Sequence, residues 1–113
     1  MNGRDGAYYE ALIAAGFIIV AGEGEILLGY VEAGPGEITR LFIRPDAAGQ
    51  GLGRRLLERG IKMAGPGDIR LNATLNAAGF YEHCGFIPLG QEMYFHDGSD
   101  EPVEIVKMVR RAV

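Results

Sequence analysis

The sequence predicts an α+β domain built on a mixed sheet, and three observations carry that prediction. β-rich apolar runs recur between glycine-rich turns over residues 17–44. The apolar period then lengthens to a helical one over residues 52–64, and a further strand follows. Strands joined by short turns form an antiparallel meander, whereas strand–helix–strand in this length implies a parallel crossover. A chain of 113 residues has room for one core, so a single domain over residues 1–113 is expected.

Taken in order, Asp5 is placed to cap a short helix from about Ala7 to Ala15. Tyr8, Tyr9, Leu12 and Ile13 form its apolar stripe and Gly16 closes it. Phe17–Ala21 is the first β-rich run, and Gly22-Glu23-Gly24-Glu25 is its turn. Ile26–Glu32 is the second strand, Gly34-Pro35-Gly36 the next turn, and Ile38–Arg44 a third strand that stops at Pro45. From Gly51 onward Leu52, Leu56, Leu57, Gly60, Ile61 and Ala64 share one helical face. Arg54, Arg55, Glu58, Arg59 and Lys62 take the other. Gly65-Pro66-Gly67 ends that helix. A strand over Ile69–Thr74, a short helix over Asn76–His83 and two strands over Gly90–Phe95 and Val103–Arg110 complete the chain.

Composition narrows the function. A net charge of −4 disfavours nucleic acid, which needs a positive field, and suits a neutral or cationic partner. The one cysteine, Cys84, excludes an internal disulfide and a multi-cysteine zinc site, and no metal is expected. The longest apolar run, around Ala11 to Ala21, is too short to span a bilayer, so no membrane partner is expected. No positively charged leader precedes it, which makes the cytoplasm the expected compartment.

The chemistry concentrates in Ala48-Gly49-Gln50-Gly51-Leu52-Gly53-Arg54, between a strand end and an amphipathic helix. Successive glycines let the backbone approach a ligand closely, and the first-turn amides of a helix lack intrahelical partners. A pyrophosphate suits such a place. A sharp strand-to-helix turn explains the same glycines without any ligand. The spacing fits neither Gly-x-x-x-x-Gly-Lys-Ser/Thr nor Gly-x-Gly-x-x-Gly.

Two segments resemble a known family. Leu41-Phe42-Ile43-Arg44-Pro45-Asp46 with Gly49-Gln50-Gly51-Leu52-Gly53-Arg54-Arg55-Leu56-Leu57 is similar to the CoA-binding segment of the GNAT N-acetyltransferase superfamily. Leu75-Asn76-Ala77-Ala78-Gly79-Phe80-Tyr81-Glu82-His83-Cys84-Gly85-Phe86 resembles its later helix-and-turn motif. The resemblance covers about residues 8–110. It implies acetyl-CoA as co-substrate, an amine acceptor, and a cleft where the fourth and fifth strands of the family's sheet splay apart. Here those strands are about Glu37–Arg44 and Ile69–Thr74. Leu41, Phe42, Ile43 and Ala48 through Arg54 are the implied cofactor contacts, with the backbone amides bearing the pyrophosphate. Ala48 departs from the family's Gln or Arg and brings no polar side chain.

The resemblance also assigns roles to other residues. Tyr81 stands where the family's hydroxyl approaches the CoA sulfur, and as a general acid it protonates the leaving thiolate. A core aromatic is the plain alternative. Glu37, sixteen positions before Gly53, matches an offset at which some members carry a general base; a solvated turn carboxylate is the other reading. Glu32 is the weaker candidate. Asn76 matches a CoA contact and equally suits a helix N-cap. His83 is expected on the surface, His96 in the last hairpin loop, and Cys84 packed as a small hydrophobe.

Against the family's pattern, the opening strand and first helix are expected to be missing. That leaves an exposed sheet edge, which predicts a homodimer. It also admits a second function: a non-catalytic CoA-binding or dimerisation module.

Overall fold

The computed structural model describes residues 8–13, 17–95 and 101–112. These form two compact units, Met1–Gly65 and Pro66–Val113.

In the first unit four strands pair antiparallel in chain order: β1 (Tyr8–Ile13), β2 (Ile18–Glu23), β3 (Ile26–Gly34) and β4 (Glu37–Ile43). A 3-10 turn over Pro45–Ala47 leads to helix α1 (Leu52–Ala64). The helix buries Leu52, Leu56, Leu57, Gly60 and Ala64, while β3 and β4 bury Val31, Ala33 and Ile38. Leu56 and Leu57 lose all their exposure, worth roughly 1.5–3 kcal/mol each before entropy is counted. Gly60 allows the close approach. A Cβ there would stand 2.7 Å from Val31 Cγ2 and 2.9 Å from Ile38 Cδ1.

The opening segment corrects the prediction. Residues 8–13 are a strand, not part of a helix over Ala7–Ala15, and the expected absence of an opening strand is corrected with it. The proposed cap residues Asp5 and Gly16 lie outside the described residues. Tyr8, Tyr9, Leu12 and Ile13 do fit a helical stripe, but pairing with β2 from Tyr8↔Glu23 to Ile13↔Ile18 satisfies the backbone instead.

The second unit has β5 (Ile69–Thr74), α2 (Leu75–His83), β6 (Ile87–Phe95) and β7 (Pro102–Arg110). Its strands pair antiparallel, with β7 between β5 and β6. Ile69, Leu71, Ala73, Val106, Met108 and Val109 are buried, along with Tyr81 and Phe86. Asp68 holds the chain after β7, accepting from the Ala112 amide (2.8 Å) and from Arg111 Nη1 (3.2 Å). β6 begins three residues before the expected Gly90. Pro88 is tolerated because, among the described residues, this strand is paired on one side only, and it shifts register between Pro88 and Gly90. No helix among the described residues is long and apolar enough to cross a membrane.

Candidate functional site

The glycine segment is built from the end of β4. The Arg44 amide donates to Leu28 O (2.8 Å), pinning the strand end to β3. The Ala47 amide donates to Arg44 O (2.8 Å) and the Ala48 amide to Pro45 O (3.3 Å), so the chain turns tightly. Arg44 Nε lies 3.0 Å from Asp46 Oδ1, so this carboxylate is paired.

Gly49 and Gly51 then take φ of +84° and +82°. That conformation strains any residue with a Cβ, so both glycines are required by the backbone. Nothing lies within 4 Å of the Cβ position at either, so the space over both is open. Gly51 caps α1 without a side-chain hydrogen bond, and no acidic residue occupies the first turn. The Arg55 amide closes the first intrahelical bond to Gly51 O (3.1 Å). The amides of Leu52, Gly53 and Arg54 precede that bond and have no acceptor within the helix. Uncapped amides and the positive helix end make this a cradle for an anion.

Around it, the side chain of Leu52 is buried, so this residue offers a ligand only its backbone. Ala48 and Gln50 are exposed, and Gly53 is half-buried. Leu41 and Ile43 are half-buried; Phe42 is more exposed and stacks on Tyr30, with ring centroids 5.7 Å apart. Among the described residues, Arg54 is paired with Glu58, at 3.6 Å. Leu41–Ile43 thus end β4, and Ala48–Arg54 carry the chain from the 3-10 turn into α1.

Glu37 is not with them. It is the first residue of β4 and the loop follows the last, about 20 Å away at strand rise. Its side chain is exposed beside Gly34. Glu32 is paired with Arg40 at 3.5 Å.

In the second unit, Asn76 and Tyr81 both lie on α2 but differ in surroundings. Asn76 is exposed in the first turn. It is not the N-cap: Thr74 holds that position, without a side-chain hydrogen bond. Tyr81 is 8% exposed and packs edge-on against Phe80 (5.2 Å) and Phe86 (5.9 Å). Burial, and secondarily Cys84, raises its phenol above the usual value near 10, so the hydroxyl stays protonated at neutral pH. Tyr81 O accepts from the Cys84 and Phe86 amides (both 3.0 Å), closing the helix into the Gly85 turn. His83 is exposed and Cys84 half-buried; His96 and the Asp97–Asp100 loop lie outside the described residues.

One cluster had no counterpart in the sequence reading. Glu10 on β1, 11% exposed, meets two arginines of α1: Arg55 Nη2 lies 3.3 Å from Oε2 and Arg59 Nε 2.9 Å from Oε1. The Tyr8 hydroxyl donates to Oε2 (2.8 Å), and Arg55 Cζ sits 5.0 Å from the Tyr8 ring centroid. Arg59 is a charge partner for Oε1 but lacks hydrogen-bond alignment, leaving this buried oxygen without an aligned donor. Tyr8 and Glu10, two apart on β1, share a face, and that period of two is the sequence signal for the cluster.

A strand–turn–helix with an uncapped, glycine-lined N-terminus is a place where an α+β protein can receive an anion. Residues 6–107 match the family model described as the acetyltransferase (GNAT) domain, and the chain belongs to that family. The α+β mixed-sheet fold expected from the sequence is shared with solved GNAT structures. A GCN5-related N-acetyltransferase from Rhodopseudomonas palustris matches with TM-score 0.76 and 23% identity, over 83% of this chain and 60% of that one. YjaB from Escherichia coli, in its apo form, matches with TM-score 0.67 and 26% identity, over 85% and 65%. Arabidopsis thaliana Naa50, in complex with the bisubstrate analogue CoA-Ac-MVNAL, matches with TM-score 0.66 and 19% identity, over 83% and 72%. The chain therefore spans about 60% of the length of the Rhodopseudomonas protein.

Proposed function

We propose that this protein is an N-acetyltransferase that moves the acetyl group of acetyl-CoA to a primary amine, on a small molecule or a peptide, within one ternary complex. The observation that carries this reading is the pair of left-handed glycines opening onto the uncapped start of α1. In it the backbone amides from Gly51 to Arg54 receive the CoA pyrophosphate, with Arg54 adding charge. Leu41, Phe42, Ile43 and Asn76 supply the remaining contacts. Naa50's bisubstrate ligand supports both halves of the substrate pair.

The neutral amine attacks the thioester carbonyl; the C–N bond forms and the C–S bond breaks. Tyr81 gives its proton to the departing thiolate, a role that its protonated state suits. Glu37 accepts the proton lost by the amine, and its distance from the loop along β4 calls for a relay through water. The two units act as one domain. β6 leaves Ile87, Leu89, Met93, Tyr94 and Phe95 half exposed on a strand paired on one side only, and this edge supports a homodimer.

A second reading, a CoA-binding module without turnover, draws support from Ala48 and from the position of Glu37. Thermal shift with acetyl-CoA, followed by an amine panel with thiol detection, separates the two. Stabilisation with released thiol supports the enzyme, stabilisation without it supports the module, and no stabilisation by any acyl-CoA removes both.

A further inference from the structure

Arg55 is the fourth residue of α1, one turn from the glycines, yet its guanidinium is committed elsewhere. It lies over the Tyr8 ring at 5.0 Å and within 3.3 Å of Glu10 Oε2, the oxygen that also accepts from the Tyr8 hydroxyl. Glu10 is the well-buried member of this set, and Arg59 holds its other oxygen at 2.9 Å. Arg54 differs. Its contact with Glu58 is 3.6 Å long, and both side chains are at least 60% exposed. Such a pair is worth little and yields readily to a phosphate.

Charge arithmetic makes the difference matter. Two arginines in the first turn oppose the helix dipole and favour an anion there. Glu10 cancels one of them. We infer that Glu10 of β1 is an electrostatic restraint on the glycine loop: it withholds Arg55 from phosphate, leaves Arg54 as the phosphate-facing cation, and holds acyl-CoA affinity below what both arginines would give. This rests on the acetyl-CoA reading of the loop. Glu10 acts through Arg55 and is a positioning residue, and Tyr8 shares that role, with its ring under the guanidinium and its hydroxyl on Glu10.

The sign of the effect separates this from a merely structural role. A salt bridge needed only for folding weakens ligand binding when broken; a restraint strengthens it. Titration calorimetry with CoA on the full chain is the test. Glu10→Gln is expected to tighten CoA binding about threefold to tenfold, with a steeper loss on adding salt. Arg55→Ala in the native background should change the affinity less than twofold, whereas Arg54→Ala weakens it about threefold or more. The double variant Glu10→Gln/Arg55→Ala should return to near the native affinity, because the released arginine is gone.

Equal losses from Arg54→Ala and Arg55→Ala would overturn the inference, as would Glu10→Gln binding CoA no better than the native chain. If Glu10→Gln does not fold, the two arginine variants and Tyr8→Phe still decide. Tyr8→Phe keeps the ring but loses the hydroxyl, so a tightening smaller than that of Glu10→Gln is expected; weaker binding counts against the restraint. A native chain that fails to bind CoA removes the acetyl-CoA reading itself. A native chain that binds, with the wrong variant pattern, removes only this inference.

Discussion

The ring of Tyr9 on β1 fills the space that a side chain at Gly22 on β2 would need. Its Cζ and Cε2 stand 2.5 and 2.7 Å from where that Cβ would be, and the two residues face each other in the strand register. A glycine without its own side chain is thus covered by a cross-strand aromatic, which fixes the register of a short strand at the open edge of its sheet. Gly22→Val is expected to expel the Tyr9 ring and loosen β1 while α1 and β2–β4 keep their packing. Amide hydrogen exchange is the check: protection should fall in residues 8–13 and persist at Val31 and Leu56. A global loss of protection would show that β1 is integral to the first core.

Gly51 supports a sharper expectation. At φ +82° any L side chain is strained, although the space for a Cβ is open. Gly51→Ala therefore acts through the backbone, at a cost of roughly 1 kcal/mol in stability. It also turns the amides at the start of α1 away from their common direction. CoA binding should weaken by about tenfold or more, a larger proportional effect than the loss in Tm. Equal CoA affinity in the variant would mean that the first-turn amides do not hold the ligand.

Packing of α1 on its sheet depends on a contact of another kind. Gly60 has no room above it: the Val31 and Ile38 methyl groups would lie 2.7 and 2.9 Å from an added Cβ. Gly60→Ala gains helix propensity of about 1 kcal/mol but forces the helix off β3 and β4. Overpacking typically costs 1–3 kcal/mol, so a net loss of about 1 kcal/mol is expected by urea denaturation. An unchanged or raised midpoint would show that Val31 rotates away freely.

These positions differ in how visible they were. β2 to β5 and α1 were legible because glycine and proline punctuate the chain and the apolar period changes at residue 52. The glycine loop was legible because it joins a β-rich run to an amphipathic one. β1 was not. Tyr8, Tyr9, Leu12 and Ile13 satisfy a helical template. What makes them a strand is remote in sequence: the bare backbone of Gly22 and the arginines 45 and 49 positions beyond Glu10. For the same reason Arg54 and Arg55 looked equivalent as sequence neighbours. Only the fold shows that one of them is occupied. Asn76 suits an N-cap as one of its two readings, yet Thr74 holds that position; either residue type can cap, and no side-chain bond forms to distinguish them.

Tyr81 yields the prediction that bears most directly on mechanism. Burial raises its phenol above its ordinary value near 10, with Cys84 as the lesser cause. In the proposed general-acid role it would therefore be in its working form across the neutral and mildly alkaline range, and no alkaline fall in turnover from this group is expected below about pH 10. Tyr81→Phe should lower kcat by about a hundredfold or more while leaving CoA affinity within about twofold. The linkage to stability has a definite sign. A folded-state value above the unfolded one favours the native state fully below about pH 10, and that contribution is lost as pH rises through the folded value. Urea midpoints at pH 9 and pH 11 should accordingly diverge more in the native chain than in Tyr81→Phe. Unchanged turnover in Tyr81→Phe would return the residue to a purely packing role, and its edge-on contacts with Phe80 and Phe86 would then be its whole function.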